Sequence, residues 1–214
     1  MTQKTDLLLP VMTGQPVIPV IKIAKLADAV PLARALARGG LKAIEITLRT
    51  PVALDAIRLV ANEVEEAVTG AGTILNRKQF EGAVEAGSEF IVSPGLTPQL
   101  VAAAAESDVP LLPGAVTSSE IMTALEAGYS LLKFFPAEQA GGAAYLKSLS
   151  SPLAGVRFCP TGGVTEKNAS TYLGLPNVLC VGGSWVAPDE LVADGKWAEI
   201  EALARQACSL ARPR

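Results

Sequence analysis

The chain has 214 residues, a formal net charge of −3 at pH 7 and no histidine. Half of its residues are hydrophobic, and a domain of this length can bury a substantial core. The acidic balance and the lack of a basic cluster give no support for nucleic-acid or anionic-membrane binding. Any acid–base chemistry must come from carboxylates, lysines, tyrosines, cysteines or bound water.

The compartment is inferred from the first residues and from the cysteines. Residues 1–9 contain lysine but no long apolar segment, so we expect no secretory signal. No apolar stretch is long and uncharged enough to suggest a membrane span. Cys159, Cys180 and Cys208 lack the spacing of a metal site, and the first two lie in apolar runs that predict burial. We therefore expect a cytoplasmic protein without a bound metal.

Short β-branched runs alternate with alanine-rich amphipathic stretches along the chain. The runs predicted as strands are 17–23, 43–48, 67–73, 90–93, 111–114, 131–135, 157–160 and 178–182. Repeating units of roughly 20–30 residues predict a single-domain α/β protein, a (β/α)8 TIM barrel. We expect an N-terminal arm at about 1–15 and the barrel at about 16–214. An open doubly wound sheet is the alternative.

Glycine follows several of the helical patterns. Arg38-Gly39-Gly40, Glu85-Ala86-Gly87 and Glu126-Ala127-Gly128 each place a glycine where a helix is expected to stop. Gly141-Gly142 is compatible either with a flexible loop at the barrel rim or with the start of the following helix.

Polar side chains interrupt two of the predicted strands. In the second strand Glu45, Thr47 and Arg49 share one face, because side chains alternate with a period of two. In the sixth strand Lys133 lies within the apolar run Leu131-Leu132-Lys133-Phe134-Phe135. The apolar face of a barrel strand meets the helices, so these polar residues are predicted to point into the lumen. Arg49 lies nearest the carboxyl-terminal rim, where barrel active sites are built.

Lys133 and Glu45 are predicted to face each other, since strands two and six lie opposite each other in an eight-stranded ring. Burying an ammonium is costly, so a lysine in an apolar run is paired, functional or both. Desolvation favours the neutral, nucleophilic amine, and a neighbouring carboxylate can carry protons during imine formation. A buried ion pair that only stabilises the barrel is the alternative.

Further candidate residues lie at the ends of other strands. The pairs Gly162-Gly163 and Gly182-Gly183 follow the last two strands, where barrel enzymes commonly bind phosphate. Ser184 adds a hydroxyl, and no basic residue follows either pair, so affinity is expected to rest on amides and helix dipoles. Thr73 ends the third strand, and Ser93-Pro94-Gly95 forms a rigid turn that can wall a pocket.

Six long segments occur in a defined order. They are Glu45-Ile46-Thr47-Leu48-Arg49-Thr50, Gly70-Ala71-Gly72-Thr73, Ser93-Pro94-Gly95-Leu96-Thr97, Lys133-Phe134-Phe135-Pro136-Ala137-Glu138, Arg157-Phe158-Cys159-Pro160-Thr161-Gly162-Gly163 and Gly182-Gly183-Ser184-Trp185. Together they resemble the bacterial 2-keto-3-deoxy-6-phosphogluconate (KDPG) aldolases, a family that also includes 4-hydroxy-2-oxoglutarate (KHG) aldolase activity. The resemblance extends from Pro16 to the final predicted helix.

The resemblance implies a class I aldolase, usually a homotrimer, that cleaves a phosphorylated keto acid of the Entner–Doudoroff pathway without a cofactor. Lys133 matches the Schiff-base lysine, and Glu45 matches the general acid/base. Arg49 and Thr73 match the residues that hold the pyruvate carboxylate. The positions that match phosphate-binding residues are Gly162, Gly163, Gly183 and Ser184. The positions that match pocket-lining residues are Pro94, Phe135 and Thr161.

Two other functional classes are open at this point. A metal-dependent aldolase or phosphosugar epimerase on a similar barrel usually needs histidine or several carboxylate ligands, so the lack of histidine disfavours it. A non-catalytic phosphosugar-binding barrel would not require Lys133 and Glu45 to face each other.

Overall fold

The computed structural model of the chain describes residues 3–210. The domain predicted from sequence spans 1–214, so its residues 1–2 and 211–214 lie outside the described range. The strands are β1 Val17–Ile21, β2 Ala43–Thr47, β3 Val68–Gly72, β4 Phe90–Val92, β5 Leu111–Leu112, β6 Leu131–Phe134, β7 Arg157–Pro160 and β8 Val181–Gly183. The helices are α1 Thr5–Thr13, α2 Ala29–Arg38, α3 Ala53–Glu63, α4 Arg77–Glu85, α5 Pro98–Glu106, α6 Ser118–Glu126, α7 Gly142–Ser148, α8 Glu166–Leu173, α9 Asp189–Ala193 and α10 Trp197–Cys208. A short 3-10 helix, Leu26–Asp28, precedes α2.

The strands form a curled parallel sheet and a separate parallel pair. Six strands are joined in the order β5-β4-β3-β2-β1-β8, and β6 pairs with β7. Single-residue bridges link this pair to its neighbours, Gly114 to Lys133 on one side and Thr161 to Gly182 on the other. The neighbouring strands β1 to β5 follow chain order, which differs from the reversed order of a doubly wound sheet. The predicted α/β class is therefore confirmed. The architecture that the structure shows is a curled six-stranded parallel sheet with an adjoining parallel pair of strands.

Proline explains why the hydrogen-bond ladder is interrupted beside β6. The predicted fifth strand extends to residue 114, but β5 ends at Leu112 because Pro113 has no N–H to donate. Its carbonyl still accepts a hydrogen bond from the backbone N–H of Lys133 at 2.9 Å. The last strand also differs, since β8 begins at Val181 and Val178 forms only an isolated bridge.

The two faces of the strands pack against different partners. Ile44 and Ile46 of β2 belong to the large core between the sheet and the helices. Ala43, which shares a face with Glu45, belongs to a smaller cluster on the inner face. Leu8 and Met12 of α1 complete that cluster, so the N-terminal helix covers the inner face near the amino-terminal ends of the strands. This packing leaves the opposite end of the sheet for polar residues.

Glycines end several helices as predicted. Gly40, Gly87 and Gly128 have φ angles of 96°, 97° and 92°, which fits the left-handed conformation that stops a helix. The two interpretations of Gly141-Gly142 are resolved, since α7 begins at Gly142.

The structure also describes the surroundings of the cysteines, the lengths of the helices and the clustering of metal-ligating side chains. Cys159 and Cys180 are buried, as their apolar surroundings predict. Between residues 3 and 210, no helix has the length and apolarity that a bilayer crossing requires. The same part of the chain holds no group of three or more histidine, cysteine or acidic residues that could bind a metal ion.

Candidate active site

A lysine and a glutamate form a buried ion pair on the inner face of the strands. The Nζ atom of Lys133 lies 3.1 Å from Oε1 and 3.4 Å from Oε2 of Glu45. The two side chains are only 7% and 4% exposed. The expected contact between these residues is present, and each charge compensates the other where water is scarce. The distance also allows direct proton transfer between the amine and the carboxylate.

Strand alternation and glycine make room for this pair. Lys133 lies between Leu132 and Phe134, which both point into the outer core, so its own side chain points inward. A Cβ atom on Gly72, at the end of β3, would lie 2.0 Å from Oε1 of Glu45. The glycine at this position therefore leaves the space that the carboxylate occupies.

Phe135 connects the lysine to a pocket. Its ring centroid lies 5.3 Å from the Nζ of Lys133, within the range of a cation–π interaction. The residue is 36% exposed and lines a pocket of about 470 Å³ together with Pro94 and Gly114. Gly114 is also the residue that bridges to the backbone of Lys133. The pocket therefore lies next to the backbone of the lysine, and the Phe135 ring contacts both the amine and the pocket.

A second pocket contains two other predicted site residues. Arg49 and Ser184 line a cavity of about 360 Å³, at the carboxyl-terminal ends of β2 and β8. The Nε of Arg49 donates a hydrogen bond to Oγ1 of Thr47 at 3.0 Å. That hydroxyl in turn donates to the carbonyl of Ile21 at 2.8 Å. The guanidinium is thus held at the rim by a hydroxyl that is itself anchored to β1.

The loop after β7 carries three of the predicted residues. Thr161 is buried, and its backbone carbonyl accepts a hydrogen bond from the N–H of Ala137 at 2.8 Å. Gly162 and Gly163 have φ angles of 97° and 75°, a conformation that side chains disfavour. The carbonyl of Gly162 accepts a hydrogen bond from the N–H of Glu138 at 3.1 Å. These contacts attach the glycine loop to the segment that follows Lys133.

Two more predicted residues have unusual local geometry. Thr73 has a φ of 62°, in the left-handed region that residues with a branched side chain rarely adopt. Such conformations are often retained at functional sites, which agrees with a role for this hydroxyl. Gly183 packs closely against Trp185, since an added Cβ atom would lie 1.8 Å from the indole ring.

Sequence reasoning overlooked Lys22, which lines the same pocket as Arg49 and Ser184. Its Nζ lies 2.8 Å from Oδ2 of Asp189, the first residue of α9. The signal was present in the sequence, since a lysine near the end of a predicted apolar strand is as unusual as Lys133.

Sequence reasoning also overlooked the contact between Glu138 and Tyr172. The Tyr172 hydroxyl donates a short hydrogen bond to Oε1 of Glu138. Burial, this hydrogen bond and the negative charge of the carboxylate together raise the pKa of Tyr172 above its ordinary value. The contact joins the segment after β6 to α8, and no local sequence pattern predicts it.

The curled parallel sheet, its surrounding helices and the buried lysine–glutamate pair define a TIM-like protein of the aldolase class. The chain matches the family model described as "Aldolase: KDPG and KHG aldolase" over residues 9–203. It belongs to the KDPG and KHG aldolase family.

Relatives of known function cover nearly the whole chain. The KHG/KDPG aldolase of Escherichia coli strain K12 is 49% identical over 197 residues, which is 92% of each chain. The 2-dehydro-3-deoxy-phosphogluconate aldolase of Zymomonas mobilis is 50% identical, covering 94% of this chain and 95% of the relative. A solved KDPG aldolase from Legionella pneumophila, with pyruvate captured at low pH as a covalent carbinolamine intermediate, superposes with a TM-score of 0.91. It is 47% identical and the match covers 93% of this chain and 97% of that one.

Proposed function

We propose that this chain is a class I aldolase that cleaves KDPG to pyruvate and D-glyceraldehyde 3-phosphate through a Schiff base on Lys133. The observation that carries the proposal is the buried contact of 3.1 Å between the Lys133 amine and the Glu45 carboxylate. The covalent pyruvate adduct in the Legionella relative supports the same route. The reaction then needs no cofactor beyond the lysine itself.

The reaction begins when Glu45 accepts a proton from Lys133, which becomes a neutral amine. The amine nitrogen attacks the C2 ketone and forms a carbinolamine. Glu45 returns its proton to the departing hydroxyl, and loss of water gives a protonated imine and a free Glu45 carboxylate. The Phe135 ring beside Nζ shields this atom from solvent, which protects the imine from premature hydrolysis.

Carbon–carbon cleavage follows from the imine. A carboxylate at the position of Glu45 accepts the proton of the C4 hydroxyl while the C3–C4 bond breaks. The bonding electrons move into the imine and give an enamine of pyruvate, and glyceraldehyde 3-phosphate is released. Glu45 then returns the proton to C3, and hydrolysis of the imine releases pyruvate and restores the amine.

The other predicted residues receive binding roles in this proposal. Arg49 and Thr73 hold the carboxylate of the substrate, with Arg49 oriented by the hydroxyl of Thr47. The backbone amides of Gly162, Gly163 and Gly183, with the Ser184 hydroxyl, bind the phosphate. Thr161, Pro94 and Phe135 line the path between these two ends.

Borohydride trapping tests the covalent step directly. Incubation of the wild type with pyruvate and sodium borohydride should add a stable pyruvyl group to the peptide that contains Lys133, as measured by mass spectrometry. A Lys133→Met variant that is folded by circular dichroism should not be modified. Trapping that is absent in the wild type, or that survives in Lys133→Met, would overturn the proposed mechanism.

Proton exchange tests the role of Glu45. The Glu45→Gln variant should still bind pyruvate but should exchange the methyl protons of pyruvate with deuterium oxide at least about 100-fold more slowly, in line with the loss of a general base. Exchange at the wild-type rate would remove Glu45 from the proton-transfer steps.

Cleavage of KHG to pyruvate and glyoxylate is a second candidate activity, favoured by the combined name of the Escherichia coli relative. Both substrates carry a C2 ketone and a C4 hydroxyl, so each can form an imine on Lys133 and cleave to the same pyruvate enamine. Comparison of kcat/KM for KDPG and KHG on the wild type measures their relative importance.

The wider architecture is part of the same proposal. We infer that residues 1–214 form one aldolase domain, with an arm at about 1–15 and a closed eight-stranded barrel at about 16–214. The bridges from β6 to Gly114 and from the residue after β7, Thr161, to Gly182 support closure. We further propose a cytoplasmic homotrimer, which sedimentation velocity tests by its mass.

A further inference from the structure

The pocket that contains Ser184 is lined by positively charged side chains. The other proposed phosphate ligands, the backbone amides of the glycines, carry no formal charge. Among its described residues, its wall carries two cationic side chains, Lys22 and Arg49. Lys22 directly follows β1, and the pairing of Pro19 with Gly183 places the end of β1 beside the end of β8. Lys22 is therefore on the side of the pocket that the phosphate-binding residues occupy.

The direction of Lys22 follows from the register of β1. Val20 pairs with Glu45 of β2, whose side chain is on the inner face. Lys22 is two residues further along the chain and lies on the same side as Val20, and both line the pocket. Its amine thus lies at the rim of the same interior that holds the catalytic pair.

Asp189 holds this lysine in a way that an anion can replace. The Nζ of Lys22 lies 2.8 Å from Oδ2 of Asp189, and the two side chains are 41% and 73% exposed. Exposed ion pairs of this kind are weak, because water and salt screen them. A phosphate dianion offers three acceptor oxygens and a larger charge, so it competes well for the ammonium.

Arg49 does not fill the same role. Its Nε donates to the Thr47 hydroxyl, which is anchored to β1, so the guanidinium is oriented on the β2 side of the pocket. That orientation suits a carboxylate bound near Lys133. The long, flexible side chain of Lys22 is the cation that can follow the distal end of a substrate.

We propose that Lys22 is a specificity residue that binds the phosphate of the substrate, and that Asp189 holds its amine at the pocket before substrate arrives. The inference rests on the proposed aldolase function. It adds a mobile countercharge to a phosphate site otherwise made of amides and one hydroxyl.

A comparison of two substrates tests the role of Lys22. In Lys22→Gln, KM for KDPG should rise by about fivefold to tenfold, the effect of one partly screened charge, while kcat stays within about twofold. KM for KHG should change by less than about twofold, because its second carboxylate is attached to C4 and lies nearer the imine than the C6 phosphate of KDPG. Lys25→Gln is the matched control, because Lys25 is an exposed lysine in the connection between β1 and α2 and does not line the pocket.

Inorganic phosphate and the Asp189→Asn variant give a second, independent measurement. Inhibition of the wild type by inorganic phosphate should weaken in Lys22→Gln by about the same factor as KM for KDPG rises. In Asp189→Asn the lysine loses its carboxylate partner, so phosphate should inhibit about twofold more strongly. High salt should raise KM for KDPG less in Lys22→Gln than in the wild type, because one screened charge is gone.

Two results would overturn the inference. An unchanged KM for KDPG in Lys22→Gln would show that the ammonium does not bind phosphate. Equal increases in KM for KDPG and KHG would show that Lys22 affects the pocket as a whole. Failure of the aldolase proposal is separate, since the wild type would then form no borohydride-trapped adduct with pyruvate.

Discussion

A Cβ atom placed on Gly72 would lie 2.0 Å from Oε1 of Glu45. Gly72 is the last residue of β3 and pairs with Thr47 of β2, so its backbone is held by the sheet. The carboxylate occupies the space where a side chain would otherwise project. The position of Glu45, and with it the contact to Lys133, therefore depends on a residue that has no functional group.

The Gly72→Ala substitution should reduce activity far more than stability. The added methyl group displaces the carboxylate, and a displacement of about 1 Å costs on the order of 100-fold in rate when it moves a catalytic group. The measurement is kcat/KM for KDPG together with urea unfolding. Gly82→Ala is the control, because the nearest atom to its added Cβ is Leu54 Cδ1 at 3.7 Å. Equal activities of the two variants would contradict the steric argument.

The inward direction of Lys133 and Glu45 could be predicted from sequence because it depends on local alternation along a strand. A polar residue within each of two apolar runs was enough to predict that both side chains point inward. The observed contact between Lys133 and Glu45 agrees with that prediction. The partner of Lys22 could not be predicted in this way, since Asp189 is 167 positions away in the chain. Such a contact depends on how the sheet curls to bring β1 beside β8.

The interrupted ladder beside β6 also depends on three-dimensional structure. Pro113 was visible in the sequence, but its consequence depends on which strand lies beside it. An added Cβ on Gly114 would lie 2.1 Å from the carbonyl oxygen of Pro94, so the backbones after β4 and β5 are in close contact. A glycine in a strand sequence indicates that another backbone or a ligand approaches closely, but it does not indicate which backbone that is.

Because Lys133 and Glu45 form a buried ion pair, we expect the effects of substituting them on the free energy of unfolding to be strongly coupled. Lys133→Met leaves a buried carboxylate without its partner and should lower the free energy of unfolding by about 3–5 kcal/mol at pH 7. Glu45→Gln in the same background removes that uncompensated charge and should recover much of the loss. Urea unfolding of the four proteins of this cycle measures the coupling free energy. Additive effects in the double variant would show that the two charges do not stabilise each other.

The N-terminus of α6 predicts a dependence of stability on acid pH. Oε2 of Glu120 accepts hydrogen bonds from the N–H groups of Thr117 and Val116 at 2.8 and 2.9 Å. These two backbone hydrogen bonds, that of Thr117 first, hold the pKa of Glu120 below its usual value of 4.5. Because the folded pKa is lowered, the contribution is complete above the unfolded pKa and is lost as pH falls through the folded pKa.

The Glu120→Gln variant should therefore be less stable than the wild type at pH 7, by about 0.5 kcal/mol, because Gln keeps the capping hydrogen bonds but loses the negative charge that is favourable at a helix N-terminus. The difference should shrink as pH falls below about 4.5, because the wild-type carboxyl then becomes neutral as well. Urea unfolding of both proteins between pH 7 and pH 3 measures this change. Glu126→Gln, at the other end of α6, is the control. A difference that is constant with pH would rule out the carboxylate as the source.

Two buried tyrosines, Tyr172 and Tyr129, have different surroundings. The Tyr172 hydroxyl donates to Glu138, whereas the Tyr129 hydroxyl has no hydrogen-bond partner among the described residues. Tyr172→Phe removes the donor from the Glu138 carboxylate and should cost about 1 kcal/mol of unfolding free energy, because water reaches the exposed carboxylate and replaces part of the lost hydrogen bond. Tyr129→Phe removes an unpaired hydroxyl of similar burial and should change stability by less than about 0.5 kcal/mol.

Alkaline pH gives this comparison a second measurement. The pKa of Tyr172 is raised first by burial and then by the hydrogen bond and charge of Glu138, whereas burial alone raises the pKa of Tyr129. A raised folded pKa gives stability that is complete below the unfolded pKa of about 10 and declines as pH rises above it. In either variant the free energy of unfolding should therefore fall less steeply at alkaline pH than in the wild type. Only Tyr172→Phe should also be less stable than the wild type at pH 7. Equal stabilities of the two variants at pH 7 would show that the contact with Glu138 contributes nothing to the fold.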